Sequence, residues 1–430
     1  MQETERKQII ALIKREVVPA IGCTEPMAVA LCTARACEAL GTPPEQIEVW
    51  LSANILKNAM GVGIPGTGGM IGLPIAVALG ALVGKSEYQL EVLRDTTPEA
   101  VEAGKKLIDT RAIRIALKEG ITEKLYIEVV CRADRHDARA IISGGHTTFI
   151  YIARDGEVLL DKQSTATAAN PSDEPALTLR RVYDFATTAP LDEIAFILEA
   201  RRLNKAAAER SLADGHYGHA LGNTLARIQG TSGNSTNSSF LHILSYTSAA
   251  CDARMAGAPF PVMSNSGSGN QGISATLPVV VYAEDHGATE EQLTRALILS
   301  HLTAIYIKQH MGRLSALCGC VVAATGSSCG ITYLMGGDYR QISFAAQNMI
   351  ANLTGMICDG AKPGCALKVS SGVSTAMLSA MLAMEQKSVT SVEGIIEDNV
   401  DLSIRNLARI GSEGMNETDR MVLGMMTNKE

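Results

Sequence analysis

The sequence predicts an α+β protein: an α/β block with a mixed sheet, about residues 46–190, packed on a large and mostly helical domain. Three observations lead there. Alternating or β-branched apolar runs cluster between residues 46 and 161. From about residue 180 the chain reads as almost continuous helix. Hydrophobic residues make up 46% and charged residues 19%, enough for a sizeable core, yet aromatics are only 4%, so small side chains must pack helices closely.

The elements follow in order. Ile9, Ile10, Ile13 and Val17 recur at roughly helical spacing, and a second, Ala-rich helix runs from Met27 to Leu40. Between them, Pro19 to Pro26 is a break carrying AIGCTEP. Residues 47–53 (IEVWLSA), 125–133 (LYIEVVCRA), 139–144 (RAIISG) and 147–161 read as strands, the last turning at Arg154-Asp155-Gly156-Glu157. Helices are expected over Gly69 to Val83 and Thr97 to Asp109, the latter opened by Thr97-Pro98-Glu99. Residues 162–178 are polar with two prolines, as a linker or exposed loop would be. Thr289-Glu-Glu-Gln292 is a capping box for a helix carrying Leu293, Ala296, Leu297 and His301. Further apolar helices run over Ile342 to Met356 and Val369 to Met384. Three units result: residues 1–45, helices carrying Cys23 and packing on the helical domain; 46–190, the α+β domain; and 191–430, the helical domain.

The net charge is −7 with no basic run, so no nucleic-acid partner is expected. The charged N-terminus lacks an apolar signal segment, and the longest tempting apolar stretch, Ile71 to Val83, contains Pro74 and Gly80 and is too short to span a bilayer. The expectation is a soluble, cytoplasmic protein with no membrane partner. In that compartment ten cysteines are thiols, ligands or nucleophiles rather than a disulfide framework. Five of them crowd between residues 318 and 365.

Cys358 and Cys365 flank a Gly/Pro-rich turn, DGAKPG, that can fold both sulfurs toward one point and offer backbone N–H groups to thiolate charge. The plain alternative is two buried structural thiols. Zinc pairs usually sit closer in sequence. Cys318 and Cys320 offer a third ligand; read as helical, they point different ways, so one of the two is expected to face the site. Cys23 sits at a Gly-flanked break before a helix, where the helix N-terminus favours thiolate and hence a base or nucleophile; an ordinary cap cysteine is the alternative. The run Ser264, Asn265, Ser266, Gly267, Ser268, Gly269, Asn270 supplies donors without bulk and suits a carboxylate or phosphate; it is neither a Walker loop nor a dinucleotide fingerprint. The turns around Thr67-Gly68 and Gly144-Gly145-His146 could present amides or an imidazole, although each singly is more often just a turn. Arg254, in Asp252-Ala-Arg254, could place a guanidinium for a carboxylate, or equally serve a structural salt bridge.

Taken together, GCTEP (22–26), PGTGGMIGLPIA (65–76), GGHT (144–147), DARM (252–255), MSNSGSGNQGI (263–273), RLSALC (313–318) and the run GMICDGAK–CALK (355–368) resemble the L-cysteine desulfidase family, relatives of the iron–sulfur L-serine dehydratase α chain. The resemblance covers essentially the whole chain. It implies a [4Fe–4S] cluster on Cys318, Cys358 and Cys365, with Cys320 as the fallback for Cys318, and one iron left open. It implies Cys23 as the catalytic thiol and Thr67, Gly68, His146, Ser264, Asn265, Ser266, Gly267, Ser268 and Asn270 as lining a substrate pocket.

The activity so implied is α,β-elimination of L-cysteine, a small amino-acid substrate, to hydrogen sulfide, ammonia and pyruvate, with Cys23 taking the Cα proton or holding the departing sulfur. No lysine stands out for pyridoxal phosphate; Lys362 and Lys368 flank the expected ligands. An L-serine or L-threonine dehydratase with the same apparatus is the first alternative. A non-enzymatic iron–sulfur sensor is the second, weakened by the lack of a recognisable partner-binding element. The sequence leaves room for a homo-oligomer.

Overall fold

The computed structural model describes residues 1–121, 123–163, 175–231, 238–312 and 315–428. Most of the polar 162–178 segment, and Arg313 and Leu314 of the RLSALC motif, lie outside the described residues.

The protein is α+β, as the sequence predicts. Strands β1 (Pro19–Ala20), β2 (Gln46–Leu51), β3 (Ile113–Leu117), β4 (Tyr126–Ala133), β5 (His136–Ser143), β6 (Phe149–Arg154), β7 (Glu157–Asp161) and β8 (Val262–Met263) form two sheets. The larger runs in the order β3-β2-β4-β5-β6-β7 and is mixed: β2 and β3 are parallel and the other pairs antiparallel. The predicted strands are all present. The edge strand β3 and the short helix Ala53–Ala59 were not read from the sequence. Neither shows a clear period: β3 is only partly buried, and seven residues are too few for a helical stripe.

Helix Thr24–Leu40 lies across the sheet, its alanines meeting β4 and β5, and helix Leu73–Leu82 packs beside it. Gly80 permits that approach, since a Cβ there would fall 2.6 Å from the Ala30 carbonyl oxygen. This differs from the expected grouping of residues 1–45. The first helix, Glu3–Glu16, does pack on the helical layer through Ile9, Leu12 and Ile13, but the second is buried along most of its length and belongs to the core of the sheet. Helix Leu179–Thr188, expected with the α+β block, buries Leu179, Val182 and Phe185 in the helical core instead.

The helical layer centres on Gly269–Asp285, Glu290–Met311 and Gly319–Leu334, flanked by Ser238–Met255, Tyr339–Leu353 and Cys365–Met384. Thr289 and Gln292 form the reciprocal capping box read from the sequence. The longest apolar segment is not Ile71 to Val83. Helix Cys365–Met384 is long and apolar enough by composition to cross a membrane; half of its apolar window is buried against neighbouring helices.

Two short pairings position the site. β1 runs antiparallel to β8, Pro19 opposite Met263 and Ala20 opposite Val262, so the break before Cys23 lies beside the Ser/Asn/Gly loop. Leu317 bridges Ile357, with Cys318 N–H donating to the Met356 carbonyl (2.9 Å) and Cys358 N–H to the Ala316 carbonyl (2.7 Å).

Candidate active site

A cavity of about 110 Å³ opens where these pairings meet. Its walls carry Cys23, Cys318, Cys320, Cys358 and Cys365, with Glu25, Arg254 and Asn270. Cys23 caps helix Thr24–Leu40, Cys318 caps helix Gly319–Leu334, and Cys365 is the first residue of helix Cys365–Met384. Three helix starts therefore bring thiols to one space, nearly 300 residues apart in sequence. All ten cysteines are free thiols.

Both Cys318 and Cys320 line the cavity, which corrects the expectation that one of them would turn away. That expectation assumed a helix through both. The helix starts at Gly319, and Cys318 has extended backbone (φ −63°, ψ 128°), so helical angles do not relate the pair. Hydrogen bonding from the Cys320 thiol brings Cys318 down to about 7, against the opposing effect of burial; the Cys320 backbone N–H adds to it. The Cys320 thiol is correspondingly pushed well up. Burial, and then the neighbouring thiols, raise Cys358 and Cys365, the latter to about 11. Lys57 and Lys368 work in the opposite direction on Cys358. Lys57 is 1% exposed, donates to the Cys358 carbonyl (3.2 Å) and pairs with Asp419. Lys368 pairs with Asp359 and donates to the Ile357 carbonyl (2.6 Å).

Cys23 is buried, and its thiol donates to Glu25 Oε2 at 3.0 Å. A helix N-terminus alone would acidify it, as the sequence suggests. Burial and the Glu25 carboxylate outweigh that and lift the thiol well above its ordinary range, with Arg254 pulling the other way. Glu25 is itself buried. Burial raises its carboxyl, but His146, the Cys23 thiol and Arg254 together bring it below its usual value. Thr24 Oγ1 also donates to Glu25 Oε2 (3.0 Å), and Asn58 Nδ2 to Oε1 (3.2 Å). The sequence motif contains Glu25, yet only the fold shows its side chain turned back on Cys23.

Arg254 is buried and donates through Nη1 to Asn270 Oδ1 (3.0 Å), and among the described residues it pairs with no carboxylate. Asp252, two residues before it, accepts from the Gly222 N–H (3.1 Å). Gly269 makes room for the guanidinium: a Cβ there would lie 2.2 Å from Arg254 Nε.

The remaining expected residues divide. Ser268 and Asn270 line the thiol cavity. His146, Ser264, Ser266 and Gly267 line a second cavity of about 530 Å³, which shares Thr24 and Lys308 with the first. Gly267 links the two walls, its carbonyl accepting from Thr24 Oγ1 (3.0 Å). Asn265 lines neither cavity; fully buried, its amide donates to the His301 carbonyl (3.1 Å) and meets His301 Nδ1 (3.1 Å). Thr67 and Gly68 also line neither. Thr67 Oγ1 donates to the Ile64 carbonyl (2.6 Å) and accepts from Met70 N–H (3.1 Å), which fixes the turn itself. That turn is a packing element: Gly22, at φ +67°, abuts Pro65, whose Cγ would lie 2.5 Å from any Cβ there. Cys251 was missed as a neighbour of the site. It shares a helix face with Arg254, three residues on, and is buried among the same thiols. Lys308, on the wall common to both cavities, carried no sequence signal beyond its helix.

Comparison with known proteins finds relatives that match the whole chain in sequence. A UPF0597 protein of Bacteroides fragilis is 73% identical over 434 residues, covering all of both chains. UPF0597 proteins of Porphyromonas gingivalis and Oleidesulfovibrio alaskensis are 57% and 48% identical, again over the whole of both chains. The family model described as the serine dehydratase alpha chain matches residues 87–424, which include β3 to β7, Arg254 and the cysteines at 318, 320, 358 and 365. The chain belongs to the serine dehydratase alpha-chain family.

Proposed function

We propose that the protein is an iron–sulfur-dependent lyase that removes a β-substituent from a small L-amino acid, L-cysteine in the first instance. The observation that carries this reading is one cavity walled by five thiols, Cys23, Cys318, Cys320, Cys358 and Cys365, with the buried guanidinium of Arg254 beside them.

The donor set fits a cluster. Cys318, Cys358 and Cys365 are soft ligands, the first already acidic and the others beside Lys57, Lys362 or Lys368, so thiolate charge is compensated. Among the described residues, no three His, Cys, Asp or Glu side chains converge tightly enough for one metal ion. A polynuclear cluster needs no such convergence, because each thiolate binds a different iron and the sulfurs stand farther apart. Cys320 touches Cys318 and is the alternative third ligand. When bound on three thiolates, a four-iron cluster supplies an open Lewis-acid position that polarises substrate oxygen or sulfur.

The chain's own residues do the rest. Arg254, held by Asn270, is placed to take the substrate carboxylate, a charge-assisted contact worth more in a dry cavity than in water. Cys23 stands to receive the Cα proton or the departing sulfur. Burial of the walls keeps water from the carbanionic transition state. The eliminated aminoacrylate then hydrolyses to pyruvate and ammonia.

The L-cysteine reading rests on the motif resemblance. The L-serine reading is favoured by the family match, whose description names serine dehydratase. Steady-state assays without oxygen separate them. Higher kcat/KM for pyruvate from L-cysteine supports the first; higher kcat/KM with L-serine replaces it with the second. No pyruvate from either, in protein loaded with iron and sulfide, overturns the lyase reading.

A further inference from the structure

We infer that Glu25 is the proton acceptor of Cys23, and that the two work as a one-proton dyad in the elimination. This deepens the lyase reading and rests on it. The case begins with geometry. Among the described residues the Cys23 thiol has one hydrogen-bond partner, Glu25 Oε2 at 3.0 Å, and both groups are buried at the wall of the thiol cavity. Glu25 is held from three sides, by Cys23, by Thr24 Oγ1 and by Asn58 Nδ2, so its orientation toward the sulfur does not depend on the thiol alone. Thr24 Oγ1 also donates to the Gly267 carbonyl, tying this arrangement to the loop between the two cavities.

A buried carboxylate that forms no salt bridge among the described residues is costly, and burying it against a thiol needs a reason. The charged groups facing it are His146 from the β5–β6 loop and Arg254 from helix Ser238–Met255; Lys308 lies on the same cavity wall. They hold one negative charge in the pair. Ionising Cys23 to solvent would add a second negative charge beside the first, at a buried position. Passing the proton to Glu25 moves it about one hydrogen bond and leaves the net charge unchanged. The transfer is uphill at rest, where Glu25 holds the charge, but it forms thiolate without adding charge to the pocket.

The step balances. The Cys23 S–H bond breaks and an O–H bond forms on Glu25. The thiolate then takes the Cα proton, forming S–H as C–H breaks. The electron pair left on carbon becomes the Cα–Cβ double bond, and the β-group leaves with its own bonding pair as HS⁻ or HO⁻. The proton on Glu25 goes to that anion, giving hydrogen sulfide or water, and the dyad returns to thiol and carboxylate. No oxidant or reductant enters. A purely structural Glu25, fixing the start of helix Thr24–Leu40, would have none of these consequences.

The test uses full-length Glu25→Gln and Cys23→Ala, singly and together, with wild type beside them. Iron-loaded Glu25→Gln is expected to keep its iron and lose about 10²- to 10⁴-fold in kcat. The double variant should be no slower than Cys23→Ala alone, because the pair acts as a unit. A second readout needs neither turnover nor iron: iodoacetamide labelling of Cys23 in iron-free protein at neutral pH, located by peptide mass. If Glu25 is the proton acceptor of the thiol, labelling in Glu25→Gln should be slower than in wild type at neutral pH and recover only at higher pH, in step with the loss of kcat. A carboxylate that merely sat beside the thiol would, once neutralised, leave Cys23 labelling faster. Wild-type kcat in Glu25→Gln, or Cys23 labelling that is unchanged or faster, overturns the dyad. If wild type eliminates from neither amino acid, the lyase reading fails instead, and the labelling result still decides whether Glu25 governs the thiol. Should Glu25→Gln not fold, Glu25→Asp replaces it: a shortened acid should slow turnover less than removal of Glu25's partner by Cys23→Ala, and equal turnover with wild type overturns the proposal.

Discussion

At the scale of single residues, the site is built by side chains that are buried yet charged or polar. Glu25, Arg254, Lys57 and His301 are each nearly inaccessible, and each is held by specific neighbours. His301 shows what this means for stability. Its imidazole is fully buried between Asn265 Nδ2 and Thr276 Oγ1, at 3.1 and 3.0 Å, so it joins helix Glu290–Met311 to the Ser/Asn/Gly loop. Burial lowers its titration from 6.5 to about 3. The unfolded chain binds a proton there below about pH 6.5 while the folded chain resists, so acid favours unfolding. The contribution of His301 is fully present above pH 6.5 and is lost as pH falls toward 3, with a slope of up to about 1.4 kcal/mol per pH unit. Urea unfolding across that range should show a shallower decline in His301→Gln than in wild type; parallel declines would show that His301 is not a source of the acid sensitivity. The cysteines were legible in the sequence because thiols crowded in a Gly/Pro-rich turn carry their own chemistry. Glu25 and Lys57 were not, because nothing in a sequence says which way a long side chain turns.

At the scale of elements, periodicity and capping made most helices and strands readable. Thr289 with Gln292, and Thr97 with Ala100, cap where the sequence places them. What failed were contacts without periodicity. β1 and β8 are two residues each, and the bridge at Leu317 and Ile357 is one pair, yet these bring Cys23 to the loop and Cys318 to Cys358. Reading Cys318 as helical misplaced its direction, since a cap residue does not obey the helix angle. The Ser/Asn/Gly loop owes its shape to a glycine in the helix that follows. A Cβ on Gly272 would lie 1.9 Å from the Met263 carbonyl oxygen and 2.6 Å from Ser264 backbone atoms. Gly272→Ala is therefore expected to push the loop off helix Gly269–Asp285, at a cost of about 1–3 kcal/mol, lowering Tm and raising KM. A thermal melt and substrate titration check this; unchanged Tm and KM would show that the loop is not fixed by this contact.

At the scale of the whole molecule, the α+β class was readable from composition and patterning, whereas the partition of the first 45 residues was not. Helix Thr24–Leu40 is mostly buried, with Arg35 and Glu38 its polar residues near the C-terminal end, so it shows no long polar face to reveal which layer it serves, and tertiary packing assigns it to the sheet. That placement gives the molecule its working geometry. The sheet side contributes Cys23 and Glu25 through the start of one helix, and the helical side contributes Arg254 and the other thiols. The family match spans both sides of this junction from residue 87 onward. The central claim is that three thiols hold a cluster and the fourth serves the chemistry. It is tested most directly by iron content and visible absorption of wild type, Cys23→Ala and Cys358→Ser purified without oxygen. The account predicts brown wild type and brown Cys23→Ala with about four iron atoms per chain, turnover only in wild type, and a colourless Cys358→Ser. Iron-free wild type under those conditions, or loss of iron in Cys23→Ala, would contradict it.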